Sequence, residues 1–201
     1  MKSKRNIVAA ISIIIITMVV LWFTGIIGLF LNGMSYIGNN TKEFNYTEGY
    51  LITDEYSFSI NLNDLESNVG KEVYNDGEST ISVSWIDNTG SSDTGGYRIG
   101  FRSCGTYTLN GATLVSGARH EQVDDTSFTT YMTAKMTAGY KDKVYESNVL
   151  GTNGLNYKEG DEFSFYIFPT EAYDNGEVGL KENGIVELSV KDFYKNIWAR
   201  N

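Results

Sequence analysis

The sequence predicts an all-β domain, an antiparallel β-sandwich of jelly-roll or Greek-key type, preceded by one transmembrane helix. Residues 7–31 carry no charge. From Glu48 onward, short runs alternate apolar with polar residues at a period of two, and Gly, Asn and Asp punctuate them. That region has one proline, Pro169, and two antiparallel sheets are the usual way to bury many half-apolar strands of this spacing. A closed barrel is the alternative.

Ile7–Leu31 reads IVAAISIIIITMVVLWFTGIIGLFL. As a helix its 25 residues rise about 38 Å, enough to cross a hydrocarbon core of about 30 Å with some tilt. Lys2, Lys4 and Arg5 precede it, and the next basic residue is Lys42. The positive-inside rule then keeps residues 1–6 in the cytoplasm as a basic tail and exports the rest. This makes 7–31 an uncleaved signal-anchor. The alternative is a signal peptide cleaved near Ser35, at the small-x-small pattern Gly33-Met34-Ser35, although the apolar part of such peptides is usually only about 7–15 residues. Thr24 and Gly28 form a single small-xxx-small pair, too common by chance to indicate helix dimerisation. Residues 32–47, rich in Asn, Gly, Thr and Ser, read as a linker, and 48–201 as the extracytoplasmic domain.

Tyr56–Leu62 alternates, with Phe58, Ile60 and Leu62 on one face. Ser79–Ile86 puts Ile81, Val83 and Trp85 on its inner face, so Trp85 is expected in the core. Tyr97–Arg102 places Tyr97, Ile99 and Phe101 inside and Arg98 and Arg102 outside. Thr106–Val115 contains Asn110-Gly111, a hairpin signal because both central positions of a type I′ turn need φ > 0. Ser127–Met136 and Lys143–Leu150 read as strands. Glu162–Phe168 puts Phe163, Phe165 and Ile167 on one face and Tyr166 and Phe168 on the other, so it is expected to be a central strand ended by Pro169. Asp174–Gly184 is a loop and Ile185–Val190 a strand. Val190, Phe193, Tyr194, Ile197 and Trp198 then follow i, i+3, i+4, i+7, i+8, which predicts a short terminal helix over 190–199; a final strand is the alternative.

Apart from its N-terminal 34 residues the chain holds 13 basic and 25 acidic residues, a formal charge of −12. That surface suits solubility and is ill matched to nucleic acid, whose binding rests on neutralising phosphates. A lone cysteine, Cys104, forms no intramolecular disulfide, and its residue type favours burial. It lies too far from the apolar segment to be a lipid attachment site.

Chemical machinery is sparse. The one histidine, His120, is a general-base candidate, with Glu121, Asp124 or Asp125 to orient it. Glu121 points to the opposite face of an extended strand, and an exposed loop histidine beside an acidic cluster is the expectation adopted. One His and one Cys leave too few ligands for a zinc site. Neither the neighbourhood of Ser116 and Gly117 nor Ser103-Cys104-Gly105 carries a nucleophile motif. Asp87–Asp93 and Asp174–Glu177 are oxygen-rich loops that Ca²⁺ could use, but neither fits the EF-hand pattern and their residues are ordinary turn formers. No catalytic, metal or cofactor residue is therefore assigned, and ligand-binding residues are left unassigned. Tyr50, Tyr56, Tyr140 and Tyr173, near expected turns, are the expected exposed aromatics.

A basic leader, an apolar helix and a β-rich head resemble the layout of type IV pilins. That family's processing motif, a glycine before the helix and a glutamate five residues into it, is absent here: Arg5 and Asn6 precede the helix and the first acid is Glu43. The expectation is a membrane-anchored, extracytoplasmic, non-enzymatic binding or structural subunit of a surface or envelope assembly. Its partners would be the lipid bilayer and a protein or glycan. The alternatives are an exported carbohydrate-active jelly-roll enzyme and a pilin-like filament subunit lacking the usual motif.

Overall fold

A computed structural model describes residues 2–124 and 128–201. The chain is mostly antiparallel β-structure behind an N-terminal apolar helix. Helix α1 spans Lys2–Phe23, and its stretch Asn6–Phe23 is long and apolar enough to cross a membrane. The helix does not continue to Leu31. Gly25 adopts φ 79°, which interrupts it, and α2 (Ile26–Asn32) restarts after the break.

The stretch 32–47, read as a linker, holds α3 (Met34–Asn39) and the start of β1 (Phe44–Asn61). Met34, Ile37 and Phe44 are buried in a small core with Ala112, Leu114, Leu155 and Trp198. Composition misleads here because a few apolar residues do the packing, while Asn32 and Asn39 stay exposed.

The further strands are β2 (Glu72–Asn75), β3 (Thr80–Asn88), β4 (Tyr97–Cys104), β5 (Thr106–Thr108), β6 (Gly111–Ser116), β7 (Ala118–Gln122), β8 (Phe128–Met132), β9 (Lys135–Tyr140), β10 (Lys143–Ser147), β11 (Val149–Thr152), β12 (Gly160–Tyr166) and β13 (Ile185–Arg200). The short helix α4 (Thr170–Asp174) follows Pro169. Ser127, at the start of an expected strand, lies outside the described residues. The first sheet is built on β13. One edge pairs with β1; the other is shared by β9, opposite Glu187–Lys191, and β6, opposite Tyr194–Ala199. β10 and β5 flank these. The second sheet has the order β11-β12-β4-β3-β2, which makes β12 internal, and β7 pairs with β8 as a third, two-stranded sheet.

The expected inner faces meet in one core. Ile60, Val186, Leu188 and Val190 of the first sheet share it with Ile81, Val83, Ile99, Phe101, Phe163 and Phe165 of the second. Phe58 meets Phe101 edge-on at 6.0 Å, and Phe163 meets Phe193 at 6.2 Å. Each such side chain removed from water stabilises the fold by about 1.5–3 kcal/mol. Phe168, assigned to the outer face, is buried in this core as well, because the strand ends at Tyr166 and the alternation ends with it.

The terminal helix is not formed: residues 190–199 belong to β13. Asp192 has φ 63°, and Thr53 and Asp54 of β1 sit opposite it in a bulge. The phase of β13 slips there, so Val190 and Phe193 are both buried three residues apart. A bulged strand thus mimics helical spacing. The β5–β6 hairpin forms, but Thr108 pairs with Gly111, so Leu109 and Asn110 make the turn. In the β9–β10 hairpin Lys141 and Asp142 both take positive φ (50° and 61°), as a type I′ turn requires, without a glycine.

The loop before β13 closes one end of the core. Glu182 accepts from Tyr140 Oη and Lys141 Nζ, each at 2.8 Å, and from the Gly179 N–H at 2.6 Å. Burial pushes the Glu182 carboxyl up, but these donors outweigh it and hold the group below its ordinary value. The resulting stabilisation is present above pH 4.5 and is lost as pH falls through the lower folded value. Glu182→Gln is expected to cost about 1–3 kcal/mol at pH 7. The gap from wild type should narrow in urea titrations as pH drops below 4.5; a gap independent of pH would rule this out.

Candidate functional site

The outward side chains of the second sheet form rows across its strands. Asp87, Arg98 and Tyr166 are register neighbours, then Trp85, Gly100 and Ser164, then Ser82, Arg102 and Glu162. With 150–153 at the β11 edge, Trp85, Asp87, Arg98, Glu162 and Ser164 line an open groove of about 540 Å³.

Trp85 is not in the core. A bulge between Val83 and Trp85 shifts the alternation, so Ile86 fills the inner position and the half-buried indole turns to the groove. The indole lies against Gly100, where a Cβ would come within 2.1 Å of Trp85 Nε1. Only glycine fits beneath it. Trp85 Nε1 donates to Glu162 Oε1 at 3.2 Å, as does Asn153 Nδ2 at 2.9 Å, and Ser84 Oγ donates to Glu162 Oε2 at 3.1 Å. Arg102 Nη2 reaches the same carboxylate at 3.5 Å while its guanidinium stacks on Tyr157, 3.3 Å from the ring centroid. On the other side of Trp85, Arg98 grips Asp87 through Nε (2.9 Å) and Nη2 (2.6 Å). This hydrogen bonding raises the Arg98 pKa further and keeps the fork charged. The groove is therefore a rigid aromatic surface bracketed by fixed donors and acceptors.

His120 is not an exposed loop residue. It lies on β7 and is 1% exposed. Its Nε2 is 2.6 Å from Asp161 Oδ2, an oxygen that also accepts from Ser116 Oγ at 2.6 Å, and its Nδ1 is 3.1 Å from Thr130 Oγ1. Asp161 is fully buried. A carboxyl partner comes from β12; of the neighbouring acids, Glu121 pairs with Arg119 at 3.2 Å, and Asp125 lies outside the described residues. Asn196 of β13 accepts from the His120 N–H at 2.8 Å and donates to the Ala118 carbonyl at 2.9 Å. The cluster thus pins β7 to both sheets.

Of the aromatics expected at the surface, Tyr50 is exposed, Tyr56 and Tyr173 are half-buried and Tyr140 is buried against Phe168. Cys104 is half-buried, and burial raises its thiol pKa. Among the described residues no group of three or more His, Cys, Asp or Glu is placed to hold a metal ion. Arg98 and Arg102 were legible as outward residues. Trp85 and Glu162 were not, because the bulge that exposes one and the register that aligns the other leave no local mark. No family model, curated protein or solved structure matches the chain.

Proposed function

We propose that the chain is a single-pass membrane protein, N-terminus in the cytoplasm, that holds an antiparallel two-sheet β-sandwich outside the membrane as a non-enzymatic, glycan-binding subunit of a surface assembly. The observation that carries this is the outward Trp85, seated on Gly100 and bracketed by Glu162, Asn153 and the Arg98–Asp87 fork. The apolar face of a sugar ring stacks on an indole, and its hydroxyls both donate and accept, which matches the mixture around the ring. Both groove carboxylates, Asp87 and Glu162, are already committed to arginines and side-chain donors, an arrangement suited to binding and not to proton transfer. Retention of the anchor is supported by Met34, fully buried in the domain and lost if the chain were cut before Ser35.

The test is a glycan array probed with the full chain in lipid nanodiscs, followed by calorimetry on any hit. Trp85→Ala and Gly100→Ala, the second of which displaces the indole, are each expected to weaken binding at least tenfold, corresponding to about 1.4 kcal/mol, with circular dichroism unchanged. Undiminished binding by both variants would remove the groove from consideration, and capture of proteins but no glycan would replace the ligand class.

A further inference from the structure

We infer that α1 alone crosses the hydrocarbon core, and that α2 lies in the interfacial layer of the leaflet on the domain's side, with Ile26, Phe30 and Leu31 against lipid. The β domain is then docked on the bilayer instead of swinging from a flexible tether. This rests on the membrane-anchor proposal above.

The 18 residues Asn6–Phe23 rise about 27 Å, close to a hydrocarbon thickness of about 30 Å, so α2 is surplus to the crossing. The break at Gly25 follows at once, and the exposed Trp22 and Phe23 stand just before it, where aromatic rings concentrate at membrane boundaries. α2 has two unlike sides. Gly28, with Gly25 just before it, faces Tyr36 of α3, where a Cβ on Gly28 would come within 2.4 Å of the ring; Leu29 packs on the small core. Tyr36 thus occupies the flank that a Thr24–Gly28 helix contact would use. The opposite side carries Phe30, 72% exposed, Leu31 and Ile26.

Lipid is the occupant because this apolar side follows the apolar helix α1 in the chain, with Thr24, whose hydroxyl donates to the Leu21 carbonyl at 3.2 Å, and Gly25 as the residues between them, and because of Lys158. Its Nζ sits 4.9 Å from the centroid of the Phe30 ring. An ammonium above a ring that enters the acyl boundary lies at headgroup level, the position lysine takes at membrane edges. The joint to the domain is stiff. The Met34 N–H donates to the Lys158 carbonyl at 2.8 Å, and Gly33, at φ 55°, lies so close that a Cβ would be 2.1 Å from that oxygen.

The test uses the full chain with Cys104→Ser and single cysteines, Ile13→Cys, Phe30→Cys, Leu31→Cys and Glu146→Cys, each labelled with bimane. The variants are reconstituted in phosphatidylcholine vesicles containing lipid spin-labelled at acyl carbon 5 or 12. Labels at 30 and 31 are expected to be quenched more by the shallow spin, the label at 13 more by the deep one, and the label at 146 by neither. If 13 is quenched and 30 and 31 are not, α2 stands off the bilayer and the inference fails while the anchor survives. Stronger deep quenching at 30 and 31 makes α2 part of the span and also overturns it. Loss of quenching at 13 removes the anchor itself.

Discussion

Replacing His120 with alanine is expected to destabilise the β domain by about 3–5 kcal/mol. The imidazole Nε2 is paired at 2.6 Å with a carboxyl group that has no exposed surface. Removing it leaves the Asp161 side chain with the Ser116 Oγ contact alone, a buried polar group short of a partner. The position of the pair adds to the loss. β7 emerges from the first sheet at Gly117, where a Cβ would come within 2.5 Å of Phe163, and His120 ties that departing strand to β12 of the second sheet. Chemical denaturation of the full chain in detergent, followed by tryptophan emission, measures the change. Thr130→Ala, which removes only the 3.1 Å contact to Nδ1, is expected to cost about 1 kcal/mol. The double variant His120→Ala/Asp161→Ala should lose less than the sum of its single variants, because no unpartnered buried carboxyl group remains. A loss below 1 kcal/mol for His120→Ala would mean the carboxylate finds another partner.

Met34→Ala is expected to cost about 2–5 kcal/mol, a core-sized effect from a residue three positions past the apolar segment. Met34 is fully buried beside Ile37, Phe44, Leu114 and Trp198, and its Cε lies 3.0 Å from where a Cβ on Gly105 would stand. Truncation leaves a cavity that the sheet cannot close, because Leu114 and Trp198 are held by the β6–β13 ladder. The same denaturation experiment reads it, with Ser35→Ala, at a half-exposed position, as a control expected to change little. An unchanged midpoint for Met34→Ala would mean that α3 does not contribute to domain stability and that residues 32–47 behave as the linker their composition suggests.

Much of the fold was legible because it is written in neighbours. Tyr97, Ile99 and Phe101 alternate with Arg98 and Arg102, and the structure keeps those faces apart. Phe163 and Phe165 face inward for the same reason. Misreadings cluster where a strand changes phase. The slip at Asp192 made a strand look helical, and the one between Val83 and Trp85 hid the groove's aromatic. A bulge depends on what a partner strand can accommodate, so β1 and Gly100 decide those two positions, not their own surroundings.

An apolar helix at the N-terminus, an acidic β-rich domain after it, and the inner and outer faces of most strands can be read from the order of the residues. These are short-range properties: hydrophobic length and two-residue alternation follow from each segment's own side chains. Folding alone brings His120 to Asp161, 41 residues away, turns Trp85 outward over Gly100 and places Met34 in a core. Each of these depends on segments distant in the chain being brought together. The free energy that selects such a contact comes from burial and pairing across that distance, to which local pattern carries no guide.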